Sequence, residues 1–402
     1  MLAQDAGNAH EDWTRLGLAG KAALALAATN ITLALFAISS GLPAIQRAFA
    51  GSPNSTLMIQ IMAGMVAPVF ALASPVAGRL VARYGVREVW LVSIGVAILA
   101  GLAPAACTEL WQMLPFRLLI GCAAAGAFTA GMAGVAQLPE RERHVLFGLV
   151  GFFGGVMAIV GFAAVGYLAA RGWQYAFAIH LLMLPAALLG LALPRHREAP
   201  AAGAAQGAGA AGARVPAYLL FAAVVVGWAM VSTSIFAPVL LGSLGVDDPR
   251  RVGSLLAIMS LCSLAGSGSY GFVHRLLGTG GMLLYSMAAM VGGALVVALA
   301  GSVFQAVAGI SLMGLGIAVF GAAVYPAAIE AVAAKGGGHA AAAGVISLTI
   351  YLPQIAFPFI GTAIAAAYGP AMVYLLLAGL VGVGLVVTAL PVLGARRVAR
   401  AA

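Results

Sequence analysis

Charge is what this sequence has least of. Lys and Arg number 20 and Asp and Glu 11 among 402 residues, 8% in all. A soluble domain carries roughly 25% charged residues, because its surface must face water. That shortfall excludes a water-coated globule. Cysteine is nearly absent too. Cys107, Cys122 and Cys262 are an odd, widely spaced set, which excludes a disulfide framework and a thiolate metal site. No acidic residue falls in the middle of an apolar run; all eleven sit in connections or near helix ends. Carriers of cations need a carboxylate within the membrane, so a cation-selective antiporter is disfavoured. Glu330, near the inner end of a late run, reads either as a solvated helix-end carboxylate or as a coupling group in a wet cavity. No nucleophile–base pair, metal cluster or phosphate loop stands out, so neither an enzyme nor a cofactor site is expected. A cleavable leader is missing as well. Glu11, Asp12 and Arg15 precede a long apolar run without the short core and cleavage site of a secretion signal, and the first helix is expected to stay as an anchor.

What is present is apolar length. Hydrophobic residues make up 63% of the chain, with 53 glycines, and small residues let helices approach closely in a bilayer. Runs long enough to span lie near 20–44, 55–79, 88–107, 110–135, 143–170 and 174–193. A second set follows near 215–241, 252–273, 281–301, 303–325, 338–366 and 369–393. Each approaches or exceeds the roughly 20 residues that cross a hydrocarbon core. The expected fold is therefore an all-α polytopic membrane protein of twelve transmembrane helices in two six-helix bundles. The net charge of +9 is scattered in short clusters between apolar runs, which fits a lipid bilayer as partner and no nucleic acid.

The divisions follow from composition. Residues 1–19 read as a tail, 20–193 as the first bundle, 194–214 as a linker, 215–393 as the second bundle and 394–402 as a closing tail. The linker is basic at both ends and Ala/Gly-rich between, with no pattern that would bury a face. Starting in the cytoplasm and alternating sides, fifteen basic residues fall inside, Arg79, Arg83 and Arg87 among them. Arg47, Arg171, Arg250 and Arg251 fall outside. That bias predicts cytoplasmic termini. The halves echo each other. Gln112 and Gly121 in WQMLPFRLLIG (111–121) match Gln305 and Gly314 in FQAVAGISLMG (304–314). The helix ending at Gly166 is echoed by one ending at Gly361. Parallel repeats of this kind point to a transporter with its site between the halves.

GRLVARYGVR (78–87) resembles the loop signature of the major facilitator superfamily, through Gly78, Arg83, Gly85 and Arg87. Ala82 stands where that family usually has Asp, and a degraded copy, GFVHRLLG (271–278), occupies the matching place in the second half. Arg117 followed by Gly121 and Gly126 resembles the family's fourth-helix motif. Pro139-Glu140-Arg141-Glu142-Arg143 resembles its connection before the fifth helix, giving Glu140 and Arg143 a place with the loop signature in a cytoplasmic gate. Gly172-Trp173-Gln174-Tyr175-Ala176-Phe177 resembles the start of its sixth. Of the family's fifth-helix exporter signature, Gly161 and Gly166 remain, but Phe162 and Val165 replace Pro and Gly.

The resemblance implies that the first, fourth, seventh and tenth helices line a central cavity. On these the polar and aromatic candidates are Asn30, Thr32, Arg117, Trp228, Ser232, Ser234, Phe320 and Tyr325, with Gln60 and Gln354 on neighbouring helices. Each contacts either a solute or another helix. Two readings stand for Arg117: a buried cation that meets an anionic substrate or tunes proton movement, or a side chain that snorkels or bonds a backbone carbonyl. His180 reads as a packing residue or a titrating group. Ser260, Ser263 and Ser267 recur at helical spacing, as a wet stripe or a packing seam. Pro68, Pro238, Pro353 and Pro358 mark bends. The implied function is alternating-access transport of a small organic solute, neutral or anionic, such as a metabolite, siderophore or drug. The expectation is proton-driven export across a bacterial inner membrane by a monomer. Import or uniport of an organic anion, and a transporter-like sensor without flux, are the alternatives.

Overall fold

The computed structural model describes residues 13, 16–195, 215–333 and 339–401. Only residues 194 and 195 of the expected linker fall within that range; its remainder lies outside the described residues, as does most of the leading tail. Every regular element among the described residues is a helix. Spans 1 to 6 are Leu18–Ala48, Ser55–Tyr84, Val86–Ala106, Leu110–Ala136, Glu140–Ala169 and Trp173–Gly190. Spans 7 to 10 are Ala217–Ser243, Pro249–Gly268, Phe272–Ala298 and Val303–Val332. Span 11 is a pair, Gly344–Ile355 and Phe357–Tyr368, bent by 41°, and span 12 is Pro370–Gly394. The twelve apolar runs of the sequence thus become twelve spans. The end of the molecule that carries Arg79, Arg83 and Arg87 is called here the basic end.

Proline sets several of the interruptions. Pro68 has no N–H for the carbonyl of Gly64, and span 2 breaks there into Ser55–Gly64 and Val66–Tyr84. Pro353 lies inside the 3₁₀ turn Leu352–Ile355 and Pro358 in the first turn of the helix that follows, and span 11 bends between them. Pro238, by contrast, sits inside an uninterrupted helix. Span 1, expected as one run, is broken by the 3₁₀ turn Ala37–Gly41, and span 6 begins as a 3₁₀ stretch over Trp173–Met183.

The repeat is visible in local chemistry. Gln112 Oε1 accepts the Thr108 N–H at 3.0 Å, and Gln305 Oε1 accepts the Gly301 N–H at 2.9 Å. Spans 4 and 10 therefore start on the same cap, which satisfies backbone donors otherwise orphaned at a helix N-terminus. Gly121 lets span 4 press on Val69 of span 2, and Gly314 lets span 10 press on Met259 of span 8. Gly85 turns the chain between spans 2 and 3 with φ 94°, and Gly278, with φ 65°, kinks the first turns of span 9.

The two halves meet along two seams, span 5 against span 8 and span 2 against span 11. Trp111, Tyr167, Tyr175 and Tyr368 are exposed at the end opposite the basic loops, where aromatic rings favour a membrane–water boundary.

Candidate functional site

A cavity of about 320 Å³ lies between the halves. One wall is Ala28 and Thr32 of span 1 with Gly151, Gly154, Gly155 and Phe162 of span 5. The other is Met230 and Thr233 of span 7, Met259, Ser260, Ser263 and Ser267 of span 8, and Gly314 of span 10. The volume suits a small organic molecule. Among the described residues, no Asp, Glu, Lys, Arg or His lines it. The glycines of span 5 leave room where side chains would fill it; open space faces the Cβ position of Gly151.

The hydroxyls of this wall are already committed. Thr32 donates to Ala28 O at 2.8 Å, and Thr233 to Met230 O at 2.8 Å. Ser260 donates to Leu256 O at 3.3 Å, and Ser263 to Met259 O at 3.1 Å. Each O–H bonds its own helix, so these groups turn lone pairs rather than protons to a solute. The serine stripe of the sequence faces the cavity, and among the described residues Ser267, at its exposed basic end, makes no such bond.

Beyond Met230 lies a second, much smaller chamber of about 20 Å³, lined by Leu35, Ala63, Gly64, Ala67, Val231, Ser234, Tyr351 and Gln354 as well as Met230 itself. Met230 belongs to both linings.

The cavity is closed at the end opposite the basic loops. There span 5 meets span 8 with little between them: a Cβ on Gly253 would stand 3.1 Å from Gly166 Cα. Ser40 donates to Phe162 O at 2.8 Å beside this seam, and the Arg250 guanidinium lies 5.8 Å from the Tyr167 ring centre across it. On the other seam Thr362 donates to Gln60 Oε1, and a Cβ on Gly64 would come within 2.9 Å of Pro358. Towards the basic end Gly148, Gly151 and Ser267 are exposed.

Arg117 stands apart from the cavity. It is 1% exposed, and its Nε donates to Met62 O at 3.0 Å and its Nη2 to Ala34 O at 3.1 Å. Both carbonyls lie two residues before the end of a helical segment, Ala27–Phe36 and Ser55–Gly64. The guanidinium thus ties together the interrupted stretches of spans 1 and 2. The residues that follow these carbonyls, Leu35 and Ala63, line the small chamber.

The other sequence candidates divide by place. Thr32 lines the cavity; Ser234 and Gln354 line the chamber. Gln60 joins the seam. Trp228 donates its indole N–H to Pro353 O at 2.9 Å, holding the bend of span 11 to span 7. Ser232 is buried, bonds Ala229 O and receives Tyr374 at its carbonyl. Tyr325 bonds Ser347 at 3.1 Å, and Phe320 is core. Asn30 is fully buried with neither amide atom paired among the described residues. His180 bonds Phe177 O through Nδ1 at 3.0 Å and packs on Gly101. At the basic end Gly78 is buried and Arg83 is exposed, its guanidinium 5.2 Å from the Tyr84 ring centre. Arg87 and Arg143 are half-buried and Glu140 is exposed. Glu142 pairs with Lys21 at 2.8 Å. Sequence reasoning missed Gly151, Gly154, Met230, Thr233 and Met259. The spacing of three and four between glycines 151, 154 and 155 was the available signal for the span 5 wall.

The family profile of the Major Facilitator Superfamily matches residues 24–342. An uncharacterised MFS-type transporter of Mycobacterium tuberculosis is 26% identical over 162 residues, 36% of this chain and 28% of that protein. The class E tetracycline resistance protein of Escherichia coli is 32% identical over 127 residues, 30% of this chain and 31% of that protein. Each match spans less than a third of the curated relative. The crystal structure of the nucleoside transporter NupG superposes with a TM-score of 0.74 at 13% identity, over 92% of this chain and 98% of that one. At that identity the likeness speaks for the fold. With the profile covering most of a twelve-span, two-bundle chain, the protein belongs to the Major Facilitator Superfamily of membrane transporters.

Proposed function

We propose that this chain exports a small, uncharged organic solute across the bacterial inner membrane by alternating access. The observation that carries the charge preference is the lining of the central cavity, which holds no ionisable side chain among the described residues. An organic anion would leave its charge unpaired there, and desolvating an unpaired charge is costly. Arg117, the cation that would have suited an anion, is engaged with two main-chain carbonyls. Export and a drug-like solute are supported by the similarity to a tetracycline resistance protein.

With the basic loops placed in the cytoplasm by the positive-inside rule, the closed end is periplasmic and the cavity faces the cytoplasm, where an exporter loads. Both walls come from one chain, which supports function as a monomer. The proton gradient is the proposed driving force. A second reading, uniport, is favoured by the same lining, since among the described residues no carboxylate or imidazole in the cavity stands ready to take a proton.

The test is flux in everted vesicles that hold an imposed pH gradient, with neutral, anionic and cationic compounds. Collapse of the gradient by neutral compounds alone, absent in vesicles without the protein, is the expected result. Flux of neutral compounds without proton movement would establish uniport instead. A response confined to anions or cations would overturn the proposal, and absence of flux in any class would leave the sensor reading.

A further inference from the structure

We infer that the small chamber behind Met230 is a hydrogen-bonding subsite of the main cavity, and that it takes the O–H or N–H donor of an otherwise apolar, uncharged solute. The inference rests on the reading of the cavity as a site for neutral molecules, and adds to it the feature by which one neutral molecule is told from another.

Three polar side chains meet in a chamber of about 20 Å³, which is room for one water or one ligand hydroxyl. Their hydrogen bonds leave an imbalance. Ser234 Oγ donates to Met230 O at 3.3 Å, so its proton is used and its lone pairs are not. Gln354 Nε2 donates to Ile350 O at 3.2 Å, while its Oε1 accepts no bond among the described residues. The Tyr351 hydroxyl makes none there either, although its ring is fixed edge-on to Phe70 at 5.8 Å. Acceptors therefore outnumber free donors. The amide oxygen of Gln354 sits on a side chain only 3% exposed, and an acceptor so enclosed favours an incoming donor over an incoming acceptor.

Access runs past Met230. Met230 lines both spaces, and its unbranched thioether changes rotamer more readily than any branched apolar neighbour. Turning it aside joins the chamber to the cavity. The body of the solute then rests between the glycines of span 5 and the serines of span 8, with its donor directed towards Gln354. The wall on the other side is held by Arg117, which bonds the carbonyls next to Leu35 and Ala63. The shape of the chamber therefore depends on that tie without any contact between the guanidinium and the solute.

The test uses two compounds on one carbon skeleton. Equilibrium binding of 1-naphthol, which has a donor, and 1-methoxynaphthalene, which has none, is measured on the purified full-length protein. The expected result is tighter binding of 1-naphthol by about tenfold, the value of one well-made hydrogen bond. In Gln354→Met that ratio falls to about one. Tyr351→Phe, which removes a single oxygen, lowers the ratio in the same direction and serves if Gln354→Met does not fold. Equal binding of the two compounds to the parent protein overturns the subsite and leaves the neutral-cavity reading standing. A ratio that survives both substitutions does the same. If neither compound binds, the cavity reading fails and the subsite fails with it.

Discussion

A Cβ added to Gly166 would stand 3.2 Å from Gly253 Cα, so the two halves of the protein touch main chain to main chain at the closed end of the cavity. Only glycine on both sides allows this approach. Gly166→Val therefore wedges spans 5 and 8 apart. Overpacking costs about 1–3 kcal/mol, enough to move a two-state population by about tenfold. In a background without native cysteines, Thr233→Cys should then react about tenfold faster with an impermeant thiol reagent added from the side opposite the basic loops. An unchanged rate would mean that this contact does not hold the closed state.

Arg117→Ala removes both ties to the interrupted segments of spans 1 and 2. Two charge-assisted hydrogen bonds and their buried carbonyls make a loss of about 3 kcal/mol the expected scale. The measurement is thermal unfolding of the purified protein. Arg117→Lys, with a point charge in place of a planar fork, should recover less than half of the loss. Unchanged thermal stability in Arg117→Ala, with transport abolished, would return Arg117 to a direct role in solute or proton movement.

Gly151→Leu places a side chain in the open space of the span 5 wall. The substitution sits in a helix, where Leu is favoured over Gly by roughly 0.8–1 kcal/mol, so stability should hold or rise. Uptake of neutral compounds into everted vesicles should fall by at least about tenfold through lost volume alone. Full activity in a stable Gly151→Leu protein would place the solute elsewhere.

A lining without ionisable groups also fixes a pH response. Equilibrium affinity for an uncharged compound should be flat between about pH 5 and 8, the range in which a histidine in contact would titrate. Isothermal titration across that range reads it directly. A tenfold slope would require a proton-binding group within reach of the solute.

The sequence carried the architecture because membrane physics leaves it few choices. The twelve apolar runs reappear as eleven long helices and one bent pair, and the paired Gln112 and Gln305 reappear as matching helix caps. The cavity was less legible. Thr32, Ser234, Gln354 and the Ser260–Ser263–Ser267 stripe were singled out as polar residues on apolar helices. Nothing in their type distinguished them from Ser232 or Asn30, which are buried elsewhere. Which face of a helix turns inward is decided by contacts between distant segments, and an all-apolar helix carries no moment to announce it. Arg117 shows the same limit. Its cost in a membrane marked it for attention, but its partners are the carbonyls of Ala34 and Met62, and main-chain carbonyls have no signature in sequence.

Gly85, between spans 2 and 3, and Gly278, at the kink in span 9, occupy matching places in the two halves. The first copy keeps its arginines around the turn and the second has lost most of them, yet both retain a glycine with positive φ. A charge beside a loop can drift along the chain and still face water. A left-handed residue has no such freedom, since a side chain there costs roughly 1–2 kcal/mol. Backbone handedness therefore marks corresponding positions of the two halves where side-chain chemistry does not.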